Sequence, residues 1–178
     1  MDRKLYSLLS EKKETIASRW LDRLIDSYPP DTSKFLRKER DRFANPVGQS
    51  LARGIHALVD VLLLEDAPAE ELAKPLDAIV RIRAVQELSA SQALRFVFVL
   101  KEVVHEALAQ QREELGPALR DFEQRIDELA LLAFEIYLGC KEQLYDIRVR
   151  EMKRRTAKLV ERMNRIYGEQ DGQEPPTT

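Results

Sequence analysis

Residues 118–167 read ALRDFEQRIDELALLAFEIYLGCKEQLYDIRVREMKRRTAKLVERMNRIY, fifty positions with no proline and one glycine, Gly139. The Ala, Leu, Glu, Lys and Arg that fill them lose little rotamer freedom in a helix. At ~1.5 Å rise per residue the stretch offers roughly 75 Å of helix, longer than a compact domain of this chain length is wide. Its two halves carry different stripes. Phe122, Ile126, Leu129, Ala133, Ile136 and Cys140 form a wide apolar face, with Leu132, Phe134 and Tyr137 beside it, suited to a globular core. Beyond Gly139 the apolar set narrows to Tyr145, Val149, Met152, Thr156, Leu159, Met163 and Ile166, spaced alternately by four and three residues. That spacing predicts a coiled-coil seam about three heptads long. From Lys141 to Arg165, nine basic residues outnumber four acidic ones, a basic spine on an otherwise acidic chain.

Upstream of this stretch the few Gly and Pro residues fall in clumps that separate further helical segments. Ile16, Trp20, Leu24 and Tyr28 recur every four residues and predict a first helix from Leu5 to Tyr28, stopped by Pro29-Pro30. In Asn45-Pro46-Val47-Gly48 the residue before proline avoids the α region, so Asn45 reads as a cap with Pro46 at the first helical position. Val47, Leu51, Ile55, Leu58 and Leu62 would face inward from the helix that follows. Residues Ala69 to Gln86 read as a short helical segment interrupted or restarted at Pro75, and Ser89-x-x-Gln92 as a capping box opening the next helix. Phe96 to Leu100 could be a buried strand by composition, but helical periodicity continues on both sides through Val103, Val104, Ala107 and Leu108. The fold class is all-α. The expected organisation is a helical domain over 1–140, a coiled-coil-like helix extension over 141–168 and a disordered tail over 169–178. Trp20, Phe43, Phe96 and Phe134 are the expected core anchors. The expected dimer seam is Tyr145, Val149, Met152, Leu159, Met163 and Ile166.

Composition removes several classes of function. With 178 residues, 44% hydrophobic and 34% charged, the chain has enough apolar mass for a core. Twenty-nine Lys and Arg against 31 Asp and Glu leave a net charge of -2, so no global field draws nucleic acid or an anionic membrane. A single cysteine excludes an internal disulfide framework and a cysteine-based zinc cluster. The start, Met-Asp-Arg-Lys-Leu, lacks the apolar run of a signal peptide, and no run reaches the roughly 18 to 20 apolar residues that span a bilayer. A cytoplasmic protein is expected.

Few residues suggest chemistry. There is no glycine-rich phosphate loop, nucleophile elbow or metalloprotease helix, and no enzyme is expected. His56 aligns with Asp60 on the polar side of its helix and reads as a solvated i,i+4 pair. Glu102-x-x-His105 is half of a di-iron carboxylate pattern, but the second half is missing. His105 is thus a weak metal candidate and the ligand in an alternative reading, a haem- or metal-binding helical sensor. Cys140 reads as a small buried thiol; redox sensing would need exposure and a lowered pKa. Arg81 and Arg83, one on each side of Ile82, could pair with carboxylates between helices or bind an anion. The basic spine reads as a solvated coiled-coil exterior rather than a DNA-binding basic region, because acidic residues are interspersed along it.

Several strings occur in a recognisable order. They are Trp20 with the Tyr28-Pro29 stop, Phe43-Ala44-Asn45-Pro46-Val47-Gly48, Ile82-Arg83-Ala84-Val85-Gln86 and the Ser89 to Lys101 segment. Tyr137-x-x-Cys140-Lys141-Glu142 and Tyr145-x-Ile147-Arg148 follow them. Together, from Lys12 to Lys153, they resemble the N-terminal input domain of the RsbT co-antagonist (RsbRD-type) proteins, components of bacterial stress signalling. The resemblance implies a sensory or regulatory domain without catalytic chemistry or cofactor, and a globin-like helical bundle of about five to seven helices with a long C-terminal helix. It also implies a homodimer that passes a signal along a linker helix to a STAS domain controlling a switch kinase. After Tyr167 only eleven residues follow, with no STAS domain. The expectation is therefore a stand-alone input module of sigma-factor-related signalling, acting on a separate, unknown protein partner through its dimerising last helix.

Overall fold

Asn45 links two helices through one amide. Its Oδ1 accepts from the Gly48 N–H at 2.8 Å, capping the helix that Pro46 opens, while its Nδ2 donates to the Leu36 carbonyl at 3.0 Å. Gly48 leaves room for that amide, because a Cβ there would sit 2.3 Å from Asn45 Nδ2. Asn45 is thus a buried hinge point between the two helices, with both amide groups satisfied. The computed structural model describes residues 2–38, 44–64, 68–86, 88–111 and 114–168, with the side chains of 69 and 166–168 outside that description. Phe43, the side chain of Ile166 and the tail over 169–178 therefore lie outside the described residues.

Among the described residues the chain is all-α: α1 (Arg3–Glu11), α2 (Lys13–Asp26), α3 (Pro30–Lys38), α4 (Pro46–Leu62), α5 (Ala69–Ala84), α6 (Ala90–Ala107) and α7 (Gly116–Gly168). One 3-10 turn, Ala109–Gln111, follows α6. The expected first helix is two. Lys12 leaves helical geometry at ψ 7°, between Leu5 and Leu9 on one side and Ile16, Ala17 and Trp20 on the other, all of which reach the core. The adjacent Lys12 and Lys13 interrupt the apolar stripe at that point, and the bend lets both halves bury their faces.

Pro75 does not restart α5; it lies inside a single helix. Proline removes the N–H that the Glu71 carbonyl would have received, but Glu71 is exposed and close to the helix start, where water can replace that bond. The same segment meets α4 closely. A Cβ at Gly54 would stand 2.7 Å from Ile79 Cγ1 and 3.2 Å from the Pro75 carbonyl, so only glycine admits this approach. The capping box on α6 forms in both directions, with Gln92 N–H to Ser89 Oγ at 3.3 Å and Ser89 N–H to Gln92 Oε1 at 3.0 Å.

By contact the chain divides into two compact units, Met1–Cys140 and Lys141–Thr178. The first unit holds one core, in which α2 packs on α4 and α6, and α4 on α5. Trp20, Leu51, Ile55, Leu76, Ile79, Phe96, Leu100, Phe122 and Ile126 are among its buried members. Phe134 is not an anchor of this core, because it is 44% exposed. The buried stripe of α7 passes through Leu129, Ala133, Tyr137 and Cys140, and Phe134, one residue past Ala133, is rotated about 100° away from it. Val47, expected inside, is also exposed, since α4 begins its inward face one turn later at Leu51. No described helix is long and apolar enough to cross a membrane.

Candidate functional site

Among the described residues of the first unit Arg83 is the most buried charge, with 1% of its surface exposed. It lies in the last turn of α5 and reaches the start of α6, where its Nε donates to the Ala93 carbonyl at 2.7 Å and its Nη2 to the Gln92 carbonyl at 2.8 Å. Its Nη1 donates to Ser27 Oγ at 3.1 Å, and the guanidinium stands 5.2 Å over the Tyr28 ring. Among the described residues no carboxylate pairs with it. Burial accordingly pushes its pKa below the usual arginine value, with Tyr28 opposing the shift. One helical turn along α6 from these carbonyls, Trp20 Nε1 donates to the Phe96 carbonyl at 2.7 Å. Two side chains from elsewhere in the fold thus hold the first half of α6 by its backbone.

Arg81 does not join Arg83 in one anion or ion-pair site. It is exposed and bound to Asp77 Oδ2 at 2.7 Å, one turn back on α5, and that hydrogen bond raises its pKa. Residues two apart on a helix face different ways, which is why one arginine goes inward to carbonyls and the other outward to a carboxylate.

The two histidines meet carboxylates that spacing along the chain does not predict. His105 Nε2 contacts Glu123 Oε1 on α7, while its Nδ1 is buried with no hydrogen-bond partner. Among the described residues no group of three or more His, Cys, Asp and Glu could hold a metal ion. His56 Nδ1 lies 3.6 Å from Glu14 Oε2, and Asp60, its expected partner, pairs with Lys13 instead.

Cys140 is buried, and burial raises its thiol pKa, with Arg81 pulling it down and Asp77 pushing it up. A raised pKa means less thiolate at neutral pH, and the thiolate is the reactive form. Alkylation of the folded protein by iodoacetamide at pH 7.5 is expected to run at least about tenfold slower than in denaturant, and to accelerate as pH rises through the folded pKa. Equal rates in the two states would contradict a buried, inert thiol.

The second unit carries a different feature. Tyr145, Val149, Met152, Leu159 and Met163 are 46–65% exposed within it. Thr156, at a seam position, donates its Oγ1 to the Met152 carbonyl at 3.0 Å, so its hydroxyl is spent on the helix and its methyl is left for packing. Arg148, Arg155 and Arg162 each precede a seam residue, and Lys153 follows Met152. Glu151 accepts from Arg154 at 2.8 Å and from Arg155 at 2.9 Å. An apolar stripe with basic shoulders results.

No curated protein and no solved structure is similar enough to this chain to match it. Residues 14–152 match the family described as RsbT co-antagonist protein rsbRD N-terminal domain. That span holds Trp20, the Asn45 hinge, Gly54, Arg83, the α6 capping box and Cys140, and it enters the heptad stripe as far as Met152. The match covers most of the chain, and the chain belongs to the rsbRD N-terminal domain family.

Proposed function

We propose that the protein is a non-catalytic input module of bacterial stress signalling that pairs with a second copy through the heptad face of its last helix. Membership of the family supports the regulatory, stress-signalling part of this reading. The observation that carries the rest is the exposed run Tyr145, Val149, Met152, Leu159 and Met163 at seam spacing. Leu131 and Leu138, both exposed in the first unit, keep the seven-residue interval that leads to Tyr145, Met152 and Leu159. Burying a side chain of this size contributes about 1.5–3 kcal/mol, whereas a like-charge pair on helix shoulders costs a few tenths of a kcal/mol. The seam therefore outweighs its own repulsion. The signal would be a change in core packing that shifts this helix, read by a partner. A haem or metal sensor using His105 ranks behind, since its Nε2 faces Glu123.

The basic shoulders favour one further element. In a parallel pair Arg148 would meet Lys153 of the second copy, and in an antiparallel pair arginine would meet arginine. These repulsions are screened by salt. Sedimentation of the intact chain at about 50 and about 500 mM salt is expected to show a dimer that tightens at the higher salt, since exposed charge pairs are screened beyond a Debye length. A dimer that loosens as salt rises would contradict repulsion between the basic shoulders.

A further inference from the structure

A cleft of about 350 Å³ opens beside Arg83, between the C-terminal end of α2 and the first half of α6. Three arginines, Arg23, Arg83 and Arg95, line it against one acid, Asp26. Two of these four charges are already spent. Asp26 is held by Arg37 Nη2 at 2.6 Å, and Arg23 is bound to Glu102 at 2.7 Å and to Glu106. Arg83 and Arg95 remain, and among the described residues neither has a carboxylate partner.

Arg83 has five N–H donors, and three are used, on Ala93, Gln92 and Ser27. A fourth engages the Tyr28 side chain, which leaves one Nη donor at most, at a residue with 1% of its surface exposed. A buried guanidinium compensated only by neutral oxygens keeps an unmet demand for negative charge. Arg95, from the exposed side of α6, supplies a second cation at the same cleft. Leu24, Leu88, Phe96 and Val99 provide an apolar wall. Clefts of this size with a few convergent polar groups on apolar walls suit small molecules.

We propose that this cleft binds a small oxyanion, a carboxylate or phosphate group on a molecule of metabolite size, between Arg83 and Arg95. The oxyanion takes the remaining Nη donor of Arg83 from inside and the Arg95 guanidinium from the mouth, and carbon atoms of the ligand lie on the Leu24 and Val99 side. Such a ligand ties the ends of α2 and α5 to the start of α6. The site needs only the first unit and is independent of pairing through the last helix.

The test is thermal unfolding of the full chain titrated with inorganic phosphate and, separately, with succinate, at an ionic strength held constant with chloride. A saturable rise in Tm with at least one of them is expected, and which one identifies the oxyanion chemistry. Arg95→Gln, at an exposed side chain without a carboxylate partner, should keep the ligand-free Tm and require about tenfold more ligand, the loss of one charge-assisted contact. Arg81→Gln, outside the cleft, should respond like the parent. No saturable rise with either probe, or a rise that Arg95→Gln retains in full, would overturn the site.

Discussion

Replacing Met152 and Leu159 together by aspartate is expected to leave the protein folded and convert it to a single-chain species. Both side chains are more than 60% exposed in one chain, so new carboxylates there cost the isolated chain little. In a paired seam the same positions are interior, and each pair of copies would have to accommodate four carboxylates. Removing a charge from water without a partner costs several kcal/mol. Arg155 stands within reach on the shoulder, but an ion pair with it draws the carboxylate to the rim and still empties the seam. The same change removes Met152 and Leu159 from the seam of each copy, so lost burial and buried charge act in the same direction on a seam of about three heptads. Far-ultraviolet circular dichroism and Tm should stay near those of the parent while the sedimentation coefficient falls. An unchanged sedimentation coefficient would remove the seam from the account.

The second large effect belongs to Trp20. Its indole is fully buried, stacks on Phe96 with ring centroids 6.1 Å apart, and donates to the Phe96 carbonyl at 2.7 Å. Trp20→Ala removes the largest buried side chain and a buried hydrogen bond together. Truncations of this kind cost about 3–5 kcal/mol, a large share of the roughly 5–15 kcal/mol that holds a domain. Phe134→Ala provides the contrast, because that ring is half in water; its cost is expected below about 1 kcal/mol. Urea denaturation of both variants measures the difference. Equal losses would mean that Phe134 shares the core after all.

Local chemistry was legible before the structure, and long-range chemistry was not. The Asn45 cap and the Ser89–Gln92 box are set by residues three apart, so they can be read from the chain itself. The same holds for the helical periodicity of α4, α6 and α7. The Lys12 bend has no glycine or proline to mark it; only the competition between two apolar faces for one core produces it. Phe134 was misplaced because a wide apolar stripe does not say where burial stops, and that depends on how far α6 covers α7. Arg83 carried a family string, yet its partners are carbonyls nine and ten residues on and a hydroxyl fifty-six residues back. Backbone acceptors leave no trace in a sequence. The Glu123 partner of His105 and the Glu14 partner of His56 escaped for a different reason: each is a side chain on another helix, at no fixed spacing along the chain.

Wild-type chain in sedimentation equilibrium at micromolar concentration tests the pairing of two copies most directly. The account predicts a species of twice 20.6 kDa that persists, and tightens, as salt is raised. A single species of 20.6 kDa across that range would contradict it.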